Sequence, residues 1–163
     1  MRINADLGPI VIPEKGRFVP QGRPQVHGGT LTVSGRTERT GASLLAARFL
    51  VGFNVGGKPQ WTEDDLIRMF VEIRQEQGRS AGASFLSQRG IWHPLGGKRE
   101  PDELGAQILV MNEDRLDKQT FIDEMASLGE ELTRRMDQDA IYLDIQRAGR
   151  VIKSFVLTQD EEI

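Results

Sequence analysis

The sequence predicts an α+β domain: a ferredoxin-like sandwich of order β-α-β-β-α-β, with one extra C-terminal strand and an extended, strand-containing N-terminal arm. Three observations carry this expectation. Two segments show the apolar spacing and capping residues of helices. Five segments around them show strand spacing. The first 41 residues hold seven of the 18 glycines and four of the seven prolines, and proline excludes helix there.

The elements follow in chain order. Residues 1–41 read as a basic, Gly/Pro-rich extended arm with β-like runs at Ile10–Ile12, Phe18–Val19 and Thr30–Val33. Such an arm is expected to pack on the domain or on a neighbour. Residues 42–158 read as the core and 159–163 as an acidic tail. From Arg48 to Val55 the pattern puts Phe49, Val51, Phe53 and Val55 on one face, and Gly56-Gly57 breaks the strand. Thr62 caps the first helix, with Asp65 completing a capping-box variant and Trp61 stapling onto Leu66. Leu66, Met69, Phe70 and Ile73 form its apolar stripe, and Gly78 ends it.

Residues 82–92 read as a strand and 93–102 as a loop with two prolines and two glycines. Ala106–Met111 is apolar apart from Gln107, suited to a central strand. Asp117 caps the second helix, and Leu116 can staple onto Phe121. Phe121, Met125, Leu128 and Leu132 share a face, while Arg134 and Arg135 complement the dipole in the last turn. Ile141, Leu143 and Ile145 then alternate with Tyr142, Asp144 and Gln146. Ala148-Gly149 supplies a two-residue turn, and Val151–Leu157 returns.

Composition narrows the chemistry. At 163 residues, 38% apolar and 28% charged, the chain can fill one core. The absence of cysteine removes disulfides, thiolate catalysis and Cys-ligated metals. With only His27 and His93 as imidazoles, no metal and no cofactor are expected. No apolar run approaches membrane-spanning length, and Asp6, Gly8 and Pro9 interrupt the opening segment as a secretory signal would not allow. A cytoplasmic protein is the expectation. Charge is uneven: residues 1–60 carry eight Lys/Arg against three Asp/Glu, the remainder thirteen against twenty-one. A basic arm beside an acidic body suits contact with an acidic partner or another copy.

Few motifs survive scrutiny. Gly52-Phe-Asn-Val-Gly-Gly57-Lys58 has phosphate-loop spacing, but position 59 is Pro where that loop needs Ser or Thr for Mg²⁺. The densest group of functional residue types runs from Gln88 to Glu100. There Trp92 can stack on a base, while Arg89, Lys98 and Arg99 can hold anions. His93 can exchange protons near neutral pH. Equally, Trp92 can pack beneath a turn with its cations solvated. His27 lacks enough partners for a metal site and reads as structural or exposed. The adjacent pairs Asp64/Asp65, Glu130/Glu131 and Glu161/Glu162 are unsuited to a dyad, because helix neighbours point apart. No Gly-x-Ser-x-Gly elbow is present.

Gly82, Gly90, Trp92, Gly97 and Glu100, followed by the apolar strand at Ile108, form a pattern of turn glycines around one Trp and one Glu. Across residues 46–146 this pattern resembles an uncharacterised family of small bacterial ferredoxin-like α+β domains. The resemblance implies the fold and carries no activity.

Three functions follow, in order. The first is a non-enzymatic binding or assembly module, which uses the arm and a sheet edge to pair with a protein partner or itself. The second binds nucleic acid or a nucleotide through the arm and Arg89, Trp92, His93, Lys98 and Arg99. The third is a small-molecule enzyme with His93, Arg89, Glu100 and Tyr142 as its working residues. No membrane partner is expected.

Overall fold

The computed structural model describes residues 7–27, 45–79, 85–95 and 101–159. Its strands are β1 (Ile10–Ile12), β2 (Gly16–Pro20), β3 (Gln25–His27), β4 (Leu45–Gly52), β5 (Asn54–Val55), β6 (Lys58–Pro59), β7 (Phe85–Pro94), β8 (Glu103–Met111), β9 (Ala140–Arg147) and β10 (Arg150–Thr158). The helices are α1 (Glu63–Glu76) and α2 (Lys118–Arg135). One eight-stranded sheet runs β1-β2-β7-β8-β4-β9-β10, with β3 also on β7, and β5-β6 form a separate ribbon. Every described pairing is antiparallel.

Alternation along the strands makes two unlike faces. One buries Phe49, Val51, Phe85, Ile108 and Leu143 against the stripes of α1 and α2. The other carries Ile10, Phe18 and Leu50, with Trp92 and Tyr142 packed on them. Trp92 lies on β7 and Tyr142 on β9, with β8 and β4 between, yet their ring centroids are 6.0 Å apart. Three strand spacings in a flat sheet span about 14 Å. The sheet therefore curls into a half-barrel whose concave side holds this pair.

That architecture corrects the expectation of a ferredoxin-like sandwich with an outlying arm. The N-terminal strands belong to the sheet: β2 pairs with β7 from Gly16↔Pro94 to Pro20↔Gly90, and β3 continues along the same edge at Gln25↔Ser87. Proline and glycine were the misleading signal. Edge strands tolerate proline, and glycine permits close approach of backbones. At Gly16 (φ 151°) a Cβ would collide with the His93 carbonyl.

Local rules explain the helix starts. The Thr62 hydroxyl accepts from the Asp65 N–H, and the Asp65 carboxylate accepts from the Thr62 N–H at 3.0 Å. Asp117 accepts from the Thr120 N–H at 2.8 Å. The helices end at Gln77 and Met136, with Gly78 (φ 81°) one residue beyond the first. Strand limits differ from the sequence expectation. The first core strand stops at Gly52, because the β5-β6 ribbon folds around Gly56 and Gly57. The Gly52–Lys58 spacing thus serves a hairpin, and α1 begins only at Glu63. Likewise β7 runs on to Pro94 because β2 pairs along it. Thr30–Val33, Gly82, Gly97, Lys98, Arg99, Glu100 and residues 160–163 lie outside the described residues. No described helix is long and apolar enough to cross a membrane.

Candidate active site

The concave face encloses a cavity of about 380 Å³. Gly52 on β4 pairs with Gly105 on β8, so neither of these paired positions puts a side chain into the cavity. Trp92 and Tyr142, stacked at an interplanar angle of 26°, line the same cavity. Phe18 and Leu50 supply apolar wall. The β5 segment and the α2–β9 connection, Asp137 to Ala140, complete the lining.

Glu103, the first residue of β8, carries the cavity's central carboxylate. Its Oε2 accepts the Asn54 N–H at 2.8 Å. The carboxylate rests over Gly52, where an added Cβ would collide with it. Asn54 is held from its other side too, since its carbonyl accepts from the Gln138 Nε2 at 3.0 Å. Gln138 is buried and also donates to the Met136 carbonyl at 3.2 Å. The Met136 carbonyl accepts the Trp61 Nε1–H at 2.8 Å as well. Gln159 donates to the Asp137 carboxylate at 2.8 Å and to the Gln138 carbonyl at 3.1 Å. These bonds tie the β5 segment to the α2–β9 connection in the cavity wall.

The charged residues among the described lining are Glu103, Asp137 and Asp139, all acidic. The faces of Trp92 and Tyr142 add the negative potential of aromatic rings. This field suits a cation, and the volume suits a nucleoside-sized ligand. Among the described residues no group of three or more His, Cys, Asp or Glu is placed to hold a metal ion.

The residues singled out from sequence are dispersed. Trp92 and Tyr142 meet in the cavity. His93, next to Trp92 on a strand, points to the other face. Its Nδ1 lies 3.0 Å from the Asp102 Oδ2, in a shallow pocket beside Arg17 and Leu95. Arg89 is exposed, with its Nε 3.6 Å from the Glu63 Oε1. His93 and Arg89 therefore form no single site with Tyr142, and Lys98, Arg99 and Glu100 are outside the described residues. His27 is structural: Ser87 donates its hydroxyl proton to the buried Glu63 at 3.1 Å. The His27 Nε2–H must then donate to Ser87 Oγ, 2.7 Å away. Glu103, Asn54 and Gln138 escaped the sequence reading. Their only signal was indirect, in the strand glycines Gly52 and Gly105, which mark close approach.

No protein-family model and no curated protein matches the chain. Two solved structures do. A phage SAM lyase in complex with S-methyl-5'-thioadenosine is 32% identical, with a TM-score of 0.62, covering 71% of this chain and 89% of that one. A phage SAM lyase in the apo state is 31% identical, with a TM-score of 0.63, covering 73% of this chain and 92% of that one. The fold and the cavity thus define the class, a curled antiparallel α+β enzyme fold. The chain belongs to the phage SAM lyase family.

Kinship to an enzyme overturns the expectation of a non-enzymatic assembly module. The physical reason lies in the N-terminal strands. Read as a free arm, they suggested a partner elsewhere; folded onto β7, they wall the cavity through Phe18. The structural neighbours are also not members of an uncharacterised ferredoxin-like family.

Proposed function

We propose that the chain cleaves S-adenosylmethionine (SAM) in the cavity around Glu103, releasing S-methyl-5'-thioadenosine. The observation that carries this reading is the acidic, aromatic lining: Glu103, Asp137 and Asp139 around the stacked Trp92 and Tyr142. It complements a sulfonium on a nucleoside, and it opposes a phosphate. The kinship to phage SAM lyases supports the same substrate.

The chemistry follows from charge. The bond between sulfur and the four-carbon amino-acid chain breaks, and sulfur keeps the electron pair as a neutral thioether. No added water is needed, because the fragment's own carboxylate oxygen can bond to the carbon that sulfur leaves, closing a five-membered lactone whose ammonium group keeps the remaining positive charge. Positive charge at sulfur is lost along the way, so low-dielectric surroundings favour the step over the same step in water. The Phe18, Leu50 and Trp92 wall provides such surroundings. Glu103, steadied by Asn54, holds and orients the sulfonium. The neutral product loses that attraction and departs.

The test is direct. Incubated with SAM, the purified full chain should form S-methyl-5'-thioadenosine, followed by liquid chromatography. Glu103→Gln removes a charge-assisted contact of about 2–3 kcal/mol, so kcat/KM should fall about a hundredfold. Absence of the thioether product from the unaltered chain overturns the reading.

A further inference from the structure

A second cavity of about 270 Å³ lies between β1 and the β9–β10 hairpin. It meets the first at Leu50 and Tyr142, which line both. Its polar lining includes Arg48, Asp144 and Ser154. We propose that this cavity is the subsite for the amino-acid end of the substrate, with Arg48 holding its carboxylate and Asp144 its ammonium group. The proposal rests on the SAM lyase reading and extends it to a place where no activity has been assigned.

Three observations support it. First, Arg48 is incompletely partnered. Its side chain is only 17% exposed. Nη1 donates to the Leu7 carbonyl at 3.0 Å. Nε is buried and has no hydrogen-bond partner among the described residues. Nη2 stands 3.8 Å from the Asp144 Oδ2, too far for a hydrogen bond. A buried guanidinium with spare donors is an uncommon and costly arrangement, and a ligand carboxylate is its natural complement.

Second, the charges are paired as a zwitterion requires. Arg48 on β4 is directly opposite Asp144 on β9 in the strand register. Ser154 donates to the Asp144 Oδ1 at 2.8 Å and fixes that carboxylate's direction. A loosely associated cation and anion, side by side on one wall, match the carboxylate and ammonium of an α-amino acid.

Third, the spacing fits one molecule. Arg48, Leu50 and Gly52 alternate onto the same concave face of β4. Residues 48 and 52 are about 13 Å apart along a strand. A sulfonium held by Glu103 beside Gly52, with its nucleoside in the first cavity, would send its amino-acid end past Tyr142 toward Arg48. The product lacks that end, so it has no claim on the second cavity.

Two uncleaved probes separate the halves: S-methyl-5'-thioadenosine, and S-adenosylhomocysteine, which retains the amino-acid end. Calorimetric titration of the full chain should show Arg48→Met weakening S-adenosylhomocysteine at least about tenfold, with S-methyl-5'-thioadenosine within twofold. KM for SAM should rise in step. Asp144→Asn preserves shape and should act in the same direction, so it carries the test if Arg48→Met fails to fold. Equal weakening of both probes, or of neither, overturns the subsite while leaving the lyase reading intact. If the unaltered chain neither cleaves SAM nor binds either probe, the lyase reading falls and the subsite falls with it.

Discussion

Single atoms decide the chemistry at the residue scale. Glu103 can lie across β4 only because residue 52 has no Cβ. His27 shows the same dependence on neighbours. It stacks on Phe85 with ring centroids 4.8 Å apart and donates to Ser87. Burial pushes its pKa below the ordinary 6.5, against the raising pull of Glu63 and then Asp64. The folded chain thus binds that proton less readily than the unfolded chain. The associated stability is fully present above the unfolded pKa of about 6.5 and is lost as pH falls below it. Urea unfolding of wild type and His27→Ala between pH 5 and 8 should show this: the difference between them should shrink as pH drops below 6.5. A constant difference would refute the linkage. Ligand counting in the sequence left His27 as structural or exposed, and Ser87 and Glu63 as its neighbours could not be read from positions 60 and 36 residues away.

At the scale of elements, β7 organises the molecule. It accepts β2 and β3 on one edge and β8 on the other. Strand alternation explains why Trp92 and His93, adjacent in a tempting cluster, serve opposite faces. Gly90 is the contact that lets β2 dock, because a Cβ there would strike the Phe18 ring and the Val19 carbonyl. Gly90→Ala should lower stability by about 1–3 kcal/mol, read from the denaturant midpoint, and should reduce SAM cleavage because Phe18 walls the cavity. Unchanged stability would show that β2 docks without this close approach. The helices were legible in advance because capping and stapling are local. The β2–β7 pairing was not, since nothing in the residues themselves indicates which edge they will meet.

The whole molecule is a curled sheet whose two ends face each other across the second cavity, Ile10 to Pro13 on one side and Val151 to Val156 on the other. The N-terminal strands supply Ile10 and Phe18 to the concave cluster. A chain beginning at Gly41 should therefore lose SAM cleavage and expose Leu50, Trp92 and Tyr142. Light scattering should report aggregation, and the melting temperature should fall. A folded, active truncation would mean that the N-terminal strands are dispensable to the site.

The sequence by itself determined the two helices with their caps at Thr62 and Asp117, the apolar stripes they bury, and the terminal hairpin turning at Ala148-Gly149. Those features depend on residues a few positions apart, and short-range sterics and hydrogen bonds suffice. It also drew attention to Trp92 and Tyr142 without relating them. Only the tertiary structure decided that they stack, that Glu103 lies beside them, and that Arg48 faces Asp144. Such meetings depend on sheet order and curl, set by the global burial of one face against the helices and the other against the N-terminal strands.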